Sequence, residues 1–259
     1  MKFDDLDKKM RVYETATDLC VLPGMFMIAR LDGRSFTQLT KKGGQFEVPF
    51  DERFRNLMVA TTESLMTCGF RVLYGYTESD EISLLFAPDE QLFGRKLRKY
   101  NSTLAGEASV QFSVRLGQAA SFDCRISQLP NPEVVVDYFR WRNEDAARNA
   151  LNSWCYWTLR NDGLNKQQAT KRLLRLPVSE KNELLFQFKI NFNDVPSWQK
   201  RGVGLYWEEY DKPSVNQMTG EEIMARRRRI RKDFELPMKG EYGEFVRSFL
   251  SERQTQGVT

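Results

Sequence analysis

Two short acidic motifs carry the chemistry open to this chain. Asp32-Gly33 closes an apolar run at residues 25–31, and Glu78-Ser79-Asp80-Glu81 separates the apolar runs 70–76 and 82–86. Carboxylates at a strand end and at a hairpin tip converge when the strands lie side by side. Two divalent ions held there could bind a nucleoside triphosphate, one activating an attacking oxygen and the other stabilising leaving pyrophosphate. Magnesium suits such hard oxygen donors and needs few of them. Gly33 lets the backbone come close to an ion, so its carbonyl is a further candidate ligand. Asp-Gly-Arg alone also reads as an ordinary structural turn, and Ser-Asp-Glu is less specific still. The two motifs together, on these elements, carry the argument.

The rest of the composition narrows the field. The chain has 259 residues and no histidine. That absence excludes Ser-His and Cys-His catalysis and His-ligated metals. The four cysteines, Cys20, Cys68, Cys124 and Cys155, never pair as C-x-x-C, which argues against zinc. With nothing marking secretion, they read as reduced thiols. No run of about 18 apolar residues is present, and the acidic start lacks a signal peptide's apolar stretch, so a cytoplasmic protein is expected. Lys and Arg gather at 95–99, 171–175 and 226–232 within a net charge of only +4. Any one cluster reads equally as a solvated helix face, but three point towards a polyanion partner.

The motifs need elements to position them. Residues 25–31 read as a buried strand ending in a turn at 32–36. Residues 50–67 read as a helix capped by Asp51, with Phe54, Met58, Thr61 and Leu65 on one face and Gly69 as a stop. The runs on either side of Asp80 read as a hairpin. A helix over 92–116 and a strand over 122–126 complete a β-α-β-β-α-β order, before a break at Pro130-Asn131-Pro132. The fold class is therefore α+β, a split β-α-β (ferredoxin-like) sheet with helices on one face. A core at 1–135 precedes a mostly helical extension at 136–259, packed on it. The extension reads as helices at 137–160, 165–174 and 179–188, strand or loop at 200–215, and a charged helix at 219–235. Trp141, Trp154 and Trp157 are spaced for core packing rather than for stacking on bases. The run 226–232 reads equally as a phosphate-backbone track and as an exposed helix pairing with Glu221 and Glu222.

Arg30-Leu31-Asp32-Gly33-Arg34-Ser35-Phe36 and Tyr74-Gly75-Tyr76-Thr77-Glu78-Ser79-Asp80-Glu81-Ile82-Ser83 resemble the two metal-site motifs of the tRNA-histidine guanylyltransferase-like proteins. The resemblance continues at Asp137-Tyr138-Phe139-Arg140-Trp141-Arg142, Lys181-Asn182-Glu183-Leu184-Leu185-Phe186, Ile190-Asn191-Phe192-Asn193 and Lys200-Arg201-Gly202. It implies a palm-like core and 3′-to-5′ addition of nucleotides to the 5′ end of tRNA, after activation of that end with ATP. It implies two Mg2+ ions held by Asp32, Asp80 and the Gly33 carbonyl, with Glu81 supporting catalysis. Gly33, Arg34, Ser35, Phe36, Ser79, Lys96 and Lys99 match nucleotide-handling positions for ATP, GTP or other triphosphates. Arg125, Asn149, Lys181 and Asn191 match tRNA-handling positions, and a homotetramer is implied. Two departures stand out. Residues 147–153 read Ala147-Arg148-Asn149-Ala150-Leu151-Asn152-Ser153, where eukaryotic members carry a heptapeptide beginning with histidine. Val48 stands where a lysine is expected. Both favour the branch that repairs 5′-truncated tRNA against the opposite strand. A palm-type nucleotide cyclase and a catalytically silent RNA-binding module are the alternative readings.

Overall fold

The computed structural model describes residues 2–41, 46–215 and 222–251. Helix α1 (Phe3–Thr15) comes first, then strand β1 (Phe26–Gly33), α2 (Phe36–Lys41) and α3 (Glu52–Thr67). Asp51 caps α3 by accepting from the Arg53 amide at 2.6 Å. The hairpin follows as β2 (Val72–Glu78) and β3 (Glu81–Phe86), then α4 (Leu97–Leu116) and β4 (Phe122–Leu129). The Pro-Asn-Pro break is the start of α5 (Pro132–Asn161), five residues earlier than expected: Asn131 accepts from the Val134 amide at 3.0 Å and Pro132 takes a first-turn position. Next come α6 (Lys166–Leu173), α7 (Val178–Gln187), α8 (Ser197–Arg201), β5 (Val203–Val215), β6 (Glu222–Asp233) and α9 (Lys239–Ser251).

Among the described residues the strands form one antiparallel sheet in the order β4-β1-β3-β2-β5-β6. The first four are the split β-α-β sheet read from the sequence. Strands β5 and β6 prolong it, with Tyr74 of β2 opposite Tyr206 of β5. One face packs Ala29, Leu31 and Leu84 against Met58 and Leu65 of α3 and Leu104 and Phe112 of α4. The other face is also covered: Ile28, Tyr74 and Leu85 pack against Val135 and Phe139 of α5 and Tyr242 and Val246 of α9. A third cluster joins the second half of α5 to α6 and α7 through Leu151, Cys155, Ala169 and Leu185. No helix among the described residues is long and apolar enough to cross a membrane.

The helix expected over 219–235 is a strand over its described part. Extended backbone puts each charge opposite a cross-strand partner: Arg226 reaches Glu209 at 2.6 Å, and Arg229 and Arg231 reach Glu208 at 2.7 and 3.0 Å. Glu222 lies opposite Val215, and Glu221 falls outside the described residues.

Candidate active site

Asp32 lies within β1 rather than in the turn after it. It sits opposite Glu81 of β3 on one side and Asp123 of β4 on the other. The Gly33 amide donates to the Asp80 carbonyl at 3.0 Å, which fixes the end of β1 against the β2–β3 turn. Ser79 turns the chain with φ at 48° and donates its hydroxyl to Asp80 Oδ1 at 3.0 Å. Gly33 has a steric reason to be glycine: a Cβ there would lie 2.5 Å from the Phe36 ring. That ring is buried and packs on Phe112 and Phe122. It therefore anchors the loop.

Arginines organise the carboxylates. Arg142 of α5, almost wholly buried, donates to Glu81 Oε2 at 2.5 Å, to Glu78 Oε1 at 3.0 Å and to Asp145 Oδ2 at 3.4 Å. Arg30 lies 3.9 Å from Glu81 and 4.0 Å from Asp32. Burial pushes the Glu78 carboxyl up to about 8, against the pull of Arg142. Burial raises Glu81 as well, again opposed by Arg142. The Asp32 side chain keeps a third of its surface open to solvent. Asp32, Asp80 and the Gly33 carbonyl are hard oxygen donors, so they fit magnesium, which keeps water and substrate phosphate in its shell. Among the described residues no cluster of three or more His, Cys, Asp or Glu side chains forms a metal cage. Glu81 is held by Arg142 instead.

Asp80 and Glu81 open onto a cleft of about 400 Å³ between the start of α3, the middle of α5 and α8. Ser79, Phe36 and Asn149 also line it, as do Val48, Phe50, Trp157 and Trp198. Arg34 and Ser35 form the turn after β1, and the Arg34 amide donates to the Ser121 carbonyl at 2.8 Å. Arg125 is opposite Arg30, two positions along β4 from Asp123, whose carboxylate it meets at 3.6 Å. Lys181 lies on α7, and Asn191 caps a short turn by accepting from the Asn193 amide at 3.1 Å. Neither lines the cleft. Lys96 and Lys99 are not brought to the carboxylates either. They stand at the start of α4, where Lys96 pairs with Asp18 at 2.8 Å and neighbouring Arg95 donates to the Met25 carbonyl at 2.6 Å. Met25 precedes β1, so this end of the sheet is about 20 Å from Asp32 at strand rise.

Sequence reasoning missed three members of the site. Asp123 is visible only through strand register, whereas Arg30, two residues before Asp32 on β1, shares its strand face by spacing. Arg142 sat in a quoted motif without a role, and its signal is an arginine among helix positions that otherwise face the core. Of the three tryptophans, Trp154 packs against the α5–α6–α7 cluster as expected, and the other two differ. Trp141 is 54% exposed, Trp154 donates Nε1 to Gln199 at 3.1 Å, and Trp157 lines the cleft. The buried stripe of α5 runs instead through Val135, Phe139, Ala146 and Ala150.

A split β-α-β sheet with carboxylates at the end of its first strand and at the adjoining hairpin turn defines a palm-type nucleotidyl-transfer fold. A family model described as tRNAHis guanylyltransferase matches residues 7–130, and one described as the Thg1 C terminal domain matches residues 133–239. The chain belongs to the tRNAHis guanylyltransferase family, a family of nucleotidyltransferases. It is 33% identical to the tRNA(His) guanylyltransferase of Debaryomyces hansenii over 74% of this chain and 76% of that one. It is 30% identical to the probable tRNA(His) guanylyltransferase of Mus musculus over 83% and 77%. A bacterial tRNA(His) guanylyltransferase-like protein solved in complex with ATP superposes with a TM-score of 0.74 at 27% identity, covering 95% of this chain and 99% of that one.

Proposed function

We propose that the protein is a 3′-to-5′ nucleotidyltransferase that repairs the 5′ end of tRNA against the opposing strand. The observation that carries the reading is the hydrogen bond from Gly33 to Asp80, which sets two family metal-site motifs side by side at the mouth of a cleft. An oxygen of the tRNA 5′-monophosphate attacks the α-phosphorus of ATP and pyrophosphate leaves. The 3′-hydroxyl of the incoming nucleotide then attacks the activated 5′ phosphorus and AMP leaves. GTP is the incoming nucleotide in guanylate addition to histidine tRNA, and any of the four serves in templated repair. Asp32, Asp80 and the Gly33 carbonyl would hold two Mg2+ ions, whose charge stabilises the oxygens that gain charge in each displacement. Glu81, gripped by Arg142, positions the turn that carries Asp80. Ser79 sits beside the triphosphate.

Several features support repair over strict histidine-tRNA work. Val48 gives the cleft an apolar wall where the family resemblance has a lysine, and Ala147 replaces the histidine of the heptapeptide. With base pairing choosing the nucleotide, fewer protein contacts to tRNA identity are needed. Residues 1–135 serve catalysis and 136–259 serve tRNA, with Asn149 at the cleft, and Arg125, Lys181, Asn191 and the arginines of β6 further out. Lys96 and Lys99, at the far end of the sheet from Asp32, would then handle phosphate apart from the carboxylates of their own chain. The reading includes a cytoplasmic homotetramer.

The test is extension of a 5′-monophosphorylated tRNA lacking its first nucleotide, with Mg2+ and all four triphosphates. Growth by one nucleotide that Asp80→Ala abolishes supports the reading. An inert substrate, both mono- and triphosphorylated, removes it.

A further inference from the structure

Helix α1 has an apolar stripe that nothing among the described residues buries. None of its residues is buried. Phe3, Leu6, Met10 and Tyr13 are 78, 44, 53 and 71% exposed. Their spacing of three, four and three is the a and d pattern of a coiled-coil seam. The helix has no side-chain cap at Lys2 and no basic residue in its last turn. Asp4 and Asp5 in the first turn and an Arg11–Asp7 pair at 2.8 Å give it some local support, but a helix of thirteen residues stays marginal in water without packing.

The flanking charges say what packs there. With Phe3 and Met10 at a positions, Lys2 and Lys9 fall at g, and Asp7 and Glu14 at e. In a parallel pair each g residue faces the e residue five positions on in the other strand. Lys2 then meets Asp7 and Lys9 meets Glu14, on both sides of the seam. An antiparallel pair would set the basic flank against itself and the acidic flank against itself. The stripe is thus charge-complementary to its own copy in one orientation, as a two-fold interface requires.

We infer that α1 is a self-association surface, pairing in parallel with α1 of a second copy through Phe3, Leu6, Met10 and Tyr13. The inference rests on the self-association included in the proposed function and names its surface, independently of the catalytic reading.

The test uses the full chain with exposed Cys20 changed to Ser; Cys68 and Cys124 are half-buried and Cys155 is buried. In a parallel pair identical seam residues face each other, so Met10→Cys should form disulfide-linked dimers under mild oxidation. Val12→Cys, off the seam, should not. Leu6→Lys should lower the solution mass at least twofold by light scattering while the melting curve of the body is retained. Three results would overturn the inference. Met10→Cys could stay monomeric on a non-reducing gel. It could link only when mixed with Leu6→Cys, as in an antiparallel pair. Leu6→Lys could leave the mass unchanged, which places any oligomer contact elsewhere. Because none of these changes touches the cleft, 5′-end extension measured on the same variants separates failure of this surface from failure of the catalytic reading.

Discussion

Arg142 donates to Glu81 at 2.5 Å, and through that bond α5 holds the turn that presents Asp80. The same guanidinium reaches Glu78 and Asp145, so one buried cation serves three carboxylates. Arg142→Gln should therefore cost about 3–5 kcal/mol of folding stability, because it leaves buried carboxylates without their counter-charge. Arg142→Lys should recover only part of this, since an ammonium lacks the planar fork. Urea denaturation of the three proteins checks both statements; a Gln variant as stable as the parent contradicts them.

Asp32 and Asp80 are each partly exposed, Asp80 lining the cleft and Asp32 standing opposite the cleft residue Glu81. Asp32→Ala and Asp80→Ala should each lower kcat at least about a thousandfold, which is about 4 kcal/mol of transition-state stabilisation. Melting temperatures should stay near the parent's. A loss of activity matched by a collapse of the fold would remove the metal-ligand assignment.

Asp51 has a titration consequence. The hydrogen bond from Arg53, helped by the Glu47 and Arg53 amides, holds its carboxyl down at about 2, from an ordinary 3.8. A carboxyl lowered in the folded state stabilises the fold above its unfolded value, and the effect is lost as pH falls through the folded value. The parent should therefore lose stability between about pH 4 and pH 2 more steeply than Asp51→Asn, which keeps a capping oxygen without the charge. Asp51→Ala should cost about 1–2 kcal/mol at neutral pH through the lost cap. Parallel acid slopes for parent and Asn variant would argue against this account.

Gly33→Ala puts a methyl 2.5 Å from the Phe36 ring, which is wedged among Phe54, Phe112 and Phe122. The ring must shift against these neighbours, so overpacking should cost about 1–3 kcal/mol. The hydrogen bond from Gly33 to Asp80 should shift with it. We expect a lower melting temperature together with reduced extension activity. An Ala variant with parental values for both would show that the close approach is not needed.

The arginines of β6 supply a test of RNA binding. Arg226, Arg229 and Arg231 are tied to Glu208 and Glu209, whereas Arg228 lies over the Trp207 ring at 5.0 Å. Changing Arg227 and Arg228 together to Gln should flatten the plot of log affinity for tRNA against log salt by about 1.5, since each phosphate no longer neutralised accounts for roughly 0.7–0.9 of the slope. An unchanged slope would remove this strand from the RNA surface.

These predictions lean unequally on the sequence. Strand β1, helix α3, the β2–β3 hairpin, α4 and β4 were legible because their signals are local: an apolar run, the Asp51 cap, a polar interruption at 78–81. The two acidic motifs that resemble the family's were visible for the same reason. Strand β6 was not, because Arg, Lys, Met, Ala and Glu favour helices when taken alone. Its extended form depends on Glu208 and Glu209 across the ladder. Strand register is likewise non-local, so the placing of Asp123 beside Asp32 could not be read from spacing. Trp154 packs on a core cluster as its spacing suggested, but Trp141 and Trp157 do not, because helical spacing marks a face without saying whether that face meets a core, a cleft or solvent. The position of Lys96 shows the same limit: helix α4 is 20 residues long, and a family match on it says nothing about which end meets Asp32.

The central claim is that base pairing, read across from the carboxylates at Asp32 and Asp80, chooses the nucleotide added to the 5′ end. It is tested most directly by four 5′-truncated tRNAs that differ only in the base opposite the missing nucleotide. Each would be offered all four triphosphates, and the added nucleotide would be identified. The account predicts that the added nucleotide follows the opposing base in every case. Addition of guanylate to all four, or no addition at all, would contradict it.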